Sequence, residues 1–450
     1  IFLKQMIDSV IAQSYTNWEL CIADGSADPS TVYISDMIKE YQQNYKNIHY
    51  ISLSANQGIS GNTNAALSLA SGDYIGLLDH DDILSPDALF EVVHTINKNP
   101  EVDVLYTDED KTDISLKKYY SPYFKPDFNL DLLRSCNYIT HFFVVKKELV
   151  RQIGGFSAEC NGSQDYDFIL KTCELATQVY HIPKVLYHWR MHPSSVAGDP
   201  QSKSYAYDAA VLALQNHLER QKENGKVRKD IQVGYYRIDY MLPASPKISI
   251  YLKECSPELK EQICQFSSYT NYEFIDSLEQ ISGEYVVILY RVTQICNSDW
   301  LEQMAGNCSR PYIGICSAKS FYKKNRVLEF GLTYTSDGQL HSPFYNAETG
   351  YCFLAKTQHN CSIVSPYCIM AKASIFQQYY MPSSDNSFVC NIWKLCRTLT
   401  QKQFSITLLP HVSVFCRERC PKLPALRDLI GKQDPFYNPN FSEAKMYHLK

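Results

Sequence analysis

The chain has 450 residues, 45% of them hydrophobic and 20% charged, which is enough for two or three domains with apolar cores. A formal net charge of −5, with acids and bases interspersed, leaves no basic stripe of the kind a nucleic acid partner needs, and no apolar run approaches the roughly 20 residues of a membrane-crossing helix. Sixteen cysteines, four before residue 250 and twelve after it, show no CxxC spacing and no signal peptide, so reduced thiols in a cytoplasmic setting are expected. The closest pair, Cys416 and Cys420 in "CRERC", lacks the partner ligands of a structural zinc site.

In chain order, "IFLKQMIDSVIAQS" (1–14) places Ile1, Met6, Ile7, Val10 and Ile11 at helical spacing, so the chain is expected to start inside a domain whose first strand precedes residue 1. Strands are predicted at "WELCIAD" (18–24), "IHYISL" (48–53) and "DYIGLLD" (73–79), alternating with helices over 1–14, 30–44, 59–71 and 85–97. Continuous rather than alternating hydrophobicity in these strands predicts an α/β fold with a mostly parallel sheet covered on both faces. Ligands bind beyond the carboxyl ends of such strands, and Asp24 and Asp79 both stand there.

The chain repeats itself. "YTNWEL" (15–20) recurs as "YTNYEF" (269–274) at an offset of 254, and "SGDYIGLL" (71–78) recurs as "SGEYVVIL" (282–289) at an offset of 211, so 43 residues are missing between the two motifs in the second copy. Both copies continue into similar helices, "DALFEVV" and "DWLEQMA". Two tandem related domains are predicted, 1–245 and 246–450, joined near the proline-broken "MLPASPK" (241–247). Asp79, His80, Asp81 and Asp82 of the first copy become Tyr290, Arg291, Val292 and Thr293 in the second, so making the turn does not require the acids. Asp-x-Asp at a strand end can hold a hard divalent cation through oxygen, leaving positions open for water and a diphosphate.

"LLDHDDILSPDAL", "NQGISGNTNAAL" (56–67), "YTDEDK" (106–111), "FKPDFNLDLL" (124–133), "GSQDYDF" (162–168) and "LYHWRMHPSSVA" (186–197), in this order, resemble glycosyltransferase family 2 over residues 1 to about 220, in particular the bacterial enzymes of rhamnose-containing and other cell-surface polysaccharides. The resemblance implies a GT-A (Rossmann-like) fold, a nucleotide-diphosphate sugar donor such as a UDP- or dTDP-sugar, Mg2+ or Mn2+, and inversion at the anomeric carbon. By the same likeness Asp79 touches the ribose or the metal, Asp81 binds the metal and Asp24 faces the nucleobase, with Ala23 standing where the family often has another acid. The donor side also includes Asn56 and Gly58 of the glycine-bearing segment.

An inverting transfer needs a base opposite the leaving group. "GSQDYDF" offers Asp165 and Asp167, which point apart on a helix; the likeness selects Asp165. His192 in "RMH" is assigned to the metal and Arg190 to a diphosphate oxygen. His188, Asp82 and Asp108 are further candidates, with a packed histidine and an acidic turn as the structural alternatives for His188 and Asp108. The second domain, lacking these acids, is expected to be non-catalytic, serving acceptor binding, cleft shaping or homodimer formation. The expected acceptor is a saccharide or lipid-linked saccharide, and a peripheral position at the inner face of the cell membrane is compatible with the composition. A non-enzymatic scaffold in polysaccharide assembly is the alternative.

Overall fold

The computed structural model describes residues 1–26, 31–192, 204–242, 244–417 and 425–449. It divides into two units, Ile1–Phe128 with Asn137–Gln221 and Lys229–Gly234, and Asn129–Cys136 with Lys222–Arg228 and Tyr235–Lys450.

The first half of the chain runs α1 (Phe2–Ile11), β1 (Leu20–Asp24), α2 (Val32–Asn44), β2 (Ile48–Ser52), α3 (Gly58–Leu69), β3 (Tyr74–Gly76), β4 (Ile83–Leu84), α4 (Ala88–Lys98), β5 (Val104–Thr112), β6 (Tyr119–Tyr123), α5 (Leu130–Leu133), β7 (Phe143–Lys146), α6 (Lys147–Ile153), α7 (Gln164–Leu175), β8 (Val179–Arg190) and α8 (Ser204–Gln221). All but α5 belong to unit 1. Helix α1 forms on the predicted face: Met6, Ile7 and Val10 are buried against Leu84, Ala88 and Val92. Each such side chain contributes about 1.5–3 kcal/mol.

Unit 1 holds two sheets. β1 and β2 pair in parallel, Leu20 opposite Ile48 through Asp24 opposite Ser52. The larger sheet has the order β3-β7-β5-β8-β4, with β6 on β5. Within it only β5 and β8 are parallel; β3–β7, β5–β7, β4–β8 and β5–β6 are antiparallel. The α/β class is as expected, but the sheet is mixed rather than mostly parallel. The reason is local: β6 folds straight back on β5, and β7 enters between β3 and β5 in the opposite sense.

Unit 2 adds β9 (Gly225–Lys229), β10 (Tyr236–Tyr240), β11 (Ile248–Lys253), α9 (Leu259–Phe266), β12 (Tyr272–Ile275), β13 (Tyr285–Tyr290), β14 (Val292–Ile295), α10 (Trp300–Cys308), β15 (Ile313–Lys323), β16 (Arg326–Glu329), β17 (Thr333–Tyr334), β18 (Leu340–His341), β19 (His359–Cys361), β20 (Cys368–Lys372), α11 (Ala373–Tyr379), α12 (Phe388–Gln401) and β21 (Ser405–Cys416). Its main sheet has the order β12-β11-β13-β20-β15-β21-β14. The path β13-β20-β15-β21-β14 matches β3-β7-β5-β8-β4 strand for strand, including the one parallel pair, β15 with β21. The repeated motifs therefore mark a repeated topology.

Two differences stand out. Between β12 and β13 there is only a short 3-10 turn, Leu278–Gln280, where unit 1 has α2, β2 and α3. In addition β11 pairs in parallel with both β12 and β13, whereas β1 and β3, their counterparts, lie in separate sheets.

The division between units also differs from the expected boundary at 245/246. Residues 129–136 pack into unit 2 because buried charges hold them there. Asp131 meets Arg310 at 2.5 Å and accepts from Asn360 and Thr407, while Arg134 grips Glu223 through both guanidinium nitrogens at 2.8 and 2.9 Å. The short helix α5 is capped by Asn129, whose side chain also donates to the Asn360 carbonyl.

Candidate active site

The strand β3 delivers its carboxyl end to a corner where the chain turns into β4, and three acids follow. Carboxylate oxygens of Asp79, Asp81 and Asp82 all lie within 4.8 Å of one another. They are not equivalent. The Asp79 side chain is 64% exposed and that of Asp81 22%, whereas Asp82 is buried. Both Asp82 oxygens are taken, one by the Tyr187 hydroxyl at 2.5 Å and the other by the Arg190 backbone N–H at 2.7 Å. Burial pushes the Asp82 carboxyl up to about 6 against these hydrogen bonds. Asp82 therefore pins the end of β8 beneath the corner, and Asp79 and Asp81 face outward.

His192, just beyond β8, places Nε2 2.9 Å from an Asp81 carboxylate oxygen. Residues 193–197, which complete the "HPSSVA" motif, lie outside the described residues.

Three expectations need correction. Arg190, assigned to a diphosphate, is fully buried: Nε donates to the Asp81 carbonyl, Nη1 to Gln5 and the Ile114 carbonyl, and the guanidinium covers Phe2 at 4.6 Å. Only Nη2 lacks a partner, so Arg190 braces the corner from below. His188 has both ring nitrogens engaged, with Asp110 at 2.6 Å and Ser85 at 3.0 Å, and is no free metal ligand. Asp108 lies on the strand β5 rather than an acidic turn; it is fully buried and accepts from the Lys125 backbone and His181. In each case the side chain is buried or held by partners inside the protein rather than presented to the open corner.

Asp165 sits in the first turn of α7. Its Oδ2 accepts from Asn137 Nδ2 at 2.9 Å, and burial raises its carboxyl above the ordinary range while the His141 charge pulls it back. Asp167, two residues on, points elsewhere, into an ion pair with Lys171 at 2.6 Å. The helix thus separates the two acids as its geometry requires.

His141 joins the two ends of the site and had no sequence signal. It stacks on Tyr187 with ring centroids 4.9 Å apart, stands 3.9 Å from Asp79 and receives a buried partner in Glu109, which also holds Lys125 at 2.9 Å. Burial lowers the imidazole, but Glu109, Asp79 and Asp82 outweigh it and hold it up to about 9, charged at neutral pH. Asn137 was likewise missed: an Asn in "SCNYIT" has no local mark, and its role arises from contact with a residue 28 positions away.

On the other side, Asp24 ends β1 and is held below its ordinary range: burial raises it, and hydrogen bonds from Ser26 and the Tyr50 hydroxyl more than compensate. Asn56 turns back on its own loop, accepting from the Gly58 N–H at 2.9 Å and from Asn62 at 3.0 Å. Gly58 has φ +75°, a conformation that disfavours a side chain, and it starts α3. Gly25 packs so close to Asn62 that a Cβ there would stand 2.5 Å from its amide nitrogen. Loop β1–α2 and the start of α3 are thus in contact.

Residues 2–154 match the family described as Glycosyl transferase family 2. An uncharacterized protein, y4gI, of Sinorhizobium fredii is 33% identical over 428 residues, covering 83% of this chain and 46% of that protein. The O-antigen biosynthesis protein RfbC of Myxococcus xanthus is 26% identical over 507 residues, covering 98% of this chain and 39% of that protein. The chain therefore spans less than half the length of either relative. Among solved structures, S. aureus TarS 1-349 in complex with UDP-GlcNAc aligns with a TM-score of 0.37 at 18% identity, covering 47% of this chain and 61% of that one. The acidic corner lies inside the stretch 2–154 that is similar to glycosyl transferase family 2, and the helix that carries Asp165 follows it in the same unit.

Proposed function

We propose that unit 1 is an inverting glycosyltransferase of polysaccharide synthesis, moving a sugar from a nucleotide diphosphate, UDP or dTDP, to a saccharide or lipid-linked saccharide. The observation that carries this reading is that the open Asp79, which shares its corner with Asp81, and Asp165 both lie close to one charged residue, His141. In the proposed reaction the acceptor hydroxyl oxygen attacks the anomeric carbon, its proton passes to the Asp165 oxygen not held by Asn137, and the bond to the diphosphate breaks with its electron pair leaving on phosphate.

A hard divalent cation fits the donor set, since Asp79 and Asp81 bring carboxylate oxygens within 4.8 Å of each other and His192, 2.9 Å from one Asp81 oxygen, stands beside them. Mg2+ or Mn2+ held there supplies the positive charge that offsets the departing diphosphate. Asp24, Asn56 and Gly58 form the nucleotide side. The family match, and the O-antigen relative, support the reaction class and the polysaccharide setting. No helix among the described residues is long and apolar enough to cross a membrane, and the fifteen described cysteines are free thiols; both are compatible with work on the cytoplasmic face of a membrane.

The test is transfer and hydrolysis of UDP- and dTDP-sugars by the whole chain with and without Mn2+. Asp165→Asn is expected to bind donor and lose transfer; unchanged turnover removes the base assignment. Asp81→Ala is expected to abolish metal-dependent nucleotide binding in calorimetry. The alternative reading is a non-catalytic scaffold in polysaccharide assembly. Complete inactivity with all donors, metal present, would establish that alternative.

A further inference from the structure

Beside the acidic corner, unit 1 carries a row of side chains for which neither the fold nor the proposed chemistry gives a use. Lys111 on β5 is directly opposite Trp189 on β8 and Tyr120 on β6, so the three project from one face of the sheet. The Lys111 ammonium lies 5.1 Å from the centre of the Trp189 ring, and Tyr120 is 43% exposed. Trp189 continues into the site: its ring is 5.5 Å from that of His141, whose Nε2 is 3.9 Å from Asp79. The opposite face is already closed, with Tyr119 packed edge-on to His188. No carboxylate among the described residues pairs with Lys111, although Glu109, two residues away on the same strand, is tied to Lys125.

We propose that Tyr120, Lys111 and Trp189 form the seat for a pyranose ring of the acceptor. The inference rests on the transferase reading but names a surface that reading does not need. A pyranose has one face of C–H bonds, weakly positive, that suits the negative face of an aromatic ring, and an edge of oxygens that suits an ammonium donor. A lysine held over a half-buried ring is easily exchanged from that ring to a sugar oxygen, because the contact it leaves is weak. The row is also continuous with the open acids through His141, which stands between Trp189 and Asp79. A nucleobase also stacks on aromatics, but Asp24, Asn56 and Gly58 belong to the β1–α3 region of the unit, and this row lies on β5, β6 and β8.

Saturation-transfer NMR on the whole chain with Mg2+ and UDP tests this, using methyl glucoside, methyl rhamnoside and methyl glucuronide as probes. At least one glycoside is expected to receive saturation on the C–H hydrogens of one ring face, and Tyr120→Ala and Trp189→Phe are expected to weaken its binding roughly two- to tenfold, the size of an aromatic contact. Lys111→Met is expected to weaken the glucuronide more than the glucoside. Tyr120 is exposed, so its truncation leaves the fold intact, and UDP affinity by calorimetry is expected to be unchanged. Absence of saturation in every probe, equal binding by both aromatic variants, or a loss of UDP affinity in Tyr120→Ala in place of glycoside binding overturns the proposal. If the glycoside result holds while the unaltered chain neither transfers nor hydrolyses any donor, the transferase reading falls and the sugar seat stands.

Discussion

The two units build the same corner from different residues. In unit 1, β3 runs out through Asp79, Asp81 and Asp82 before β4 pairs with β8; in unit 2, β13 ends on Tyr290 and passes through Arg291 into β14, which pairs with β21. The second corner is closed. Tyr290 is 5% exposed and packs on Phe388, Val292 is fully buried, and Arg291 is neutralised by Glu254 at 2.9 Å. The helix that precedes β8 or β21 also differs at its second position, Asp165 in α7 against the buried Val389 in α12. The fold thus tolerates either an open acidic corner or a filled apolar one, and the acids of unit 1 are not there to make the chain turn. Unit 2 further lacks α2, β2 and α3, and with them any counterpart of Asn56 and Gly58. We infer that unit 2 is a non-catalytic sister of unit 1.

The units also keep their charges in different places. Unit 2 buries Asp131 with Arg310 and Arg134 with Glu223, every partner supplied from within; unit 1 leaves Asp79 open and places a charged His141 beside it. The largest effect should come from writing the second corner into the first. The double change Asp79→Tyr, Asp81→Val is expected to eliminate metal-dependent nucleotide binding in calorimetry while the melting temperature stays within a few degrees; collapse of the fold would mean that the acids are structural after all. Asp165→Asn should lower kcat about 10²–10⁴-fold, the range for removal of a general base, with donor affinity retained. Asp131→Ala leaves Arg310 buried without its carboxylate and should cost about 3–5 kcal/mol in urea unfolding. For the same reason a fragment of residues 246–450 should fail to fold cooperatively.

Smaller changes sharpen the contrast. Asn137→Ala frees one oxygen of Asp165 and should lower kcat about tenfold, a charge-assisted hydrogen bond being worth about 1.5–3 kcal/mol at most, with acceptor KM little changed. The smallest effect is on pH. His141 is raised to about 9 in the folded chain, so its contribution to stability is complete below its ordinary value of about 6.5 and is lost as pH rises through 9. Asp82, raised to about 6, acts in the same direction at lower pH. Stability to urea should therefore decline between pH 6 and 9, by no more than about 3 kcal/mol from His141, and His141→Gln should flatten the upper part of that decline.

Much of unit 1 was legible because its signals are local. The apolar spacing of 1–14, the strands before Asp24 and Asp79, and the paired motifs near 15 and 71 all record interactions within a few residues, and α1, β1, β3 and their counterparts α9, β12 and β13 follow from them. The boundary at 245/246 was not legible, since nothing in "NLDLLRSC" reveals that Asp131 pairs with a residue 179 positions later. The mixed sheet was hidden for a related reason: hydrophobicity marks a buried strand but not its direction.

The sequence by itself determined the order of elements, the repetition and the concentration of acids after β3, since each is written in short-range pattern and composition. Only the tertiary structure decided which of those polar groups remain free. Asp82, Asp108, His188 and Arg190 look as eligible as Asp79 in one dimension, yet burial engages them with partners from distant strands. The same packing brings in His141 and Asn137, which carry no motif. Whether a polar group is available for chemistry depends on what surrounds it once water is excluded, and that is settled by contacts between residues far apart in the chain.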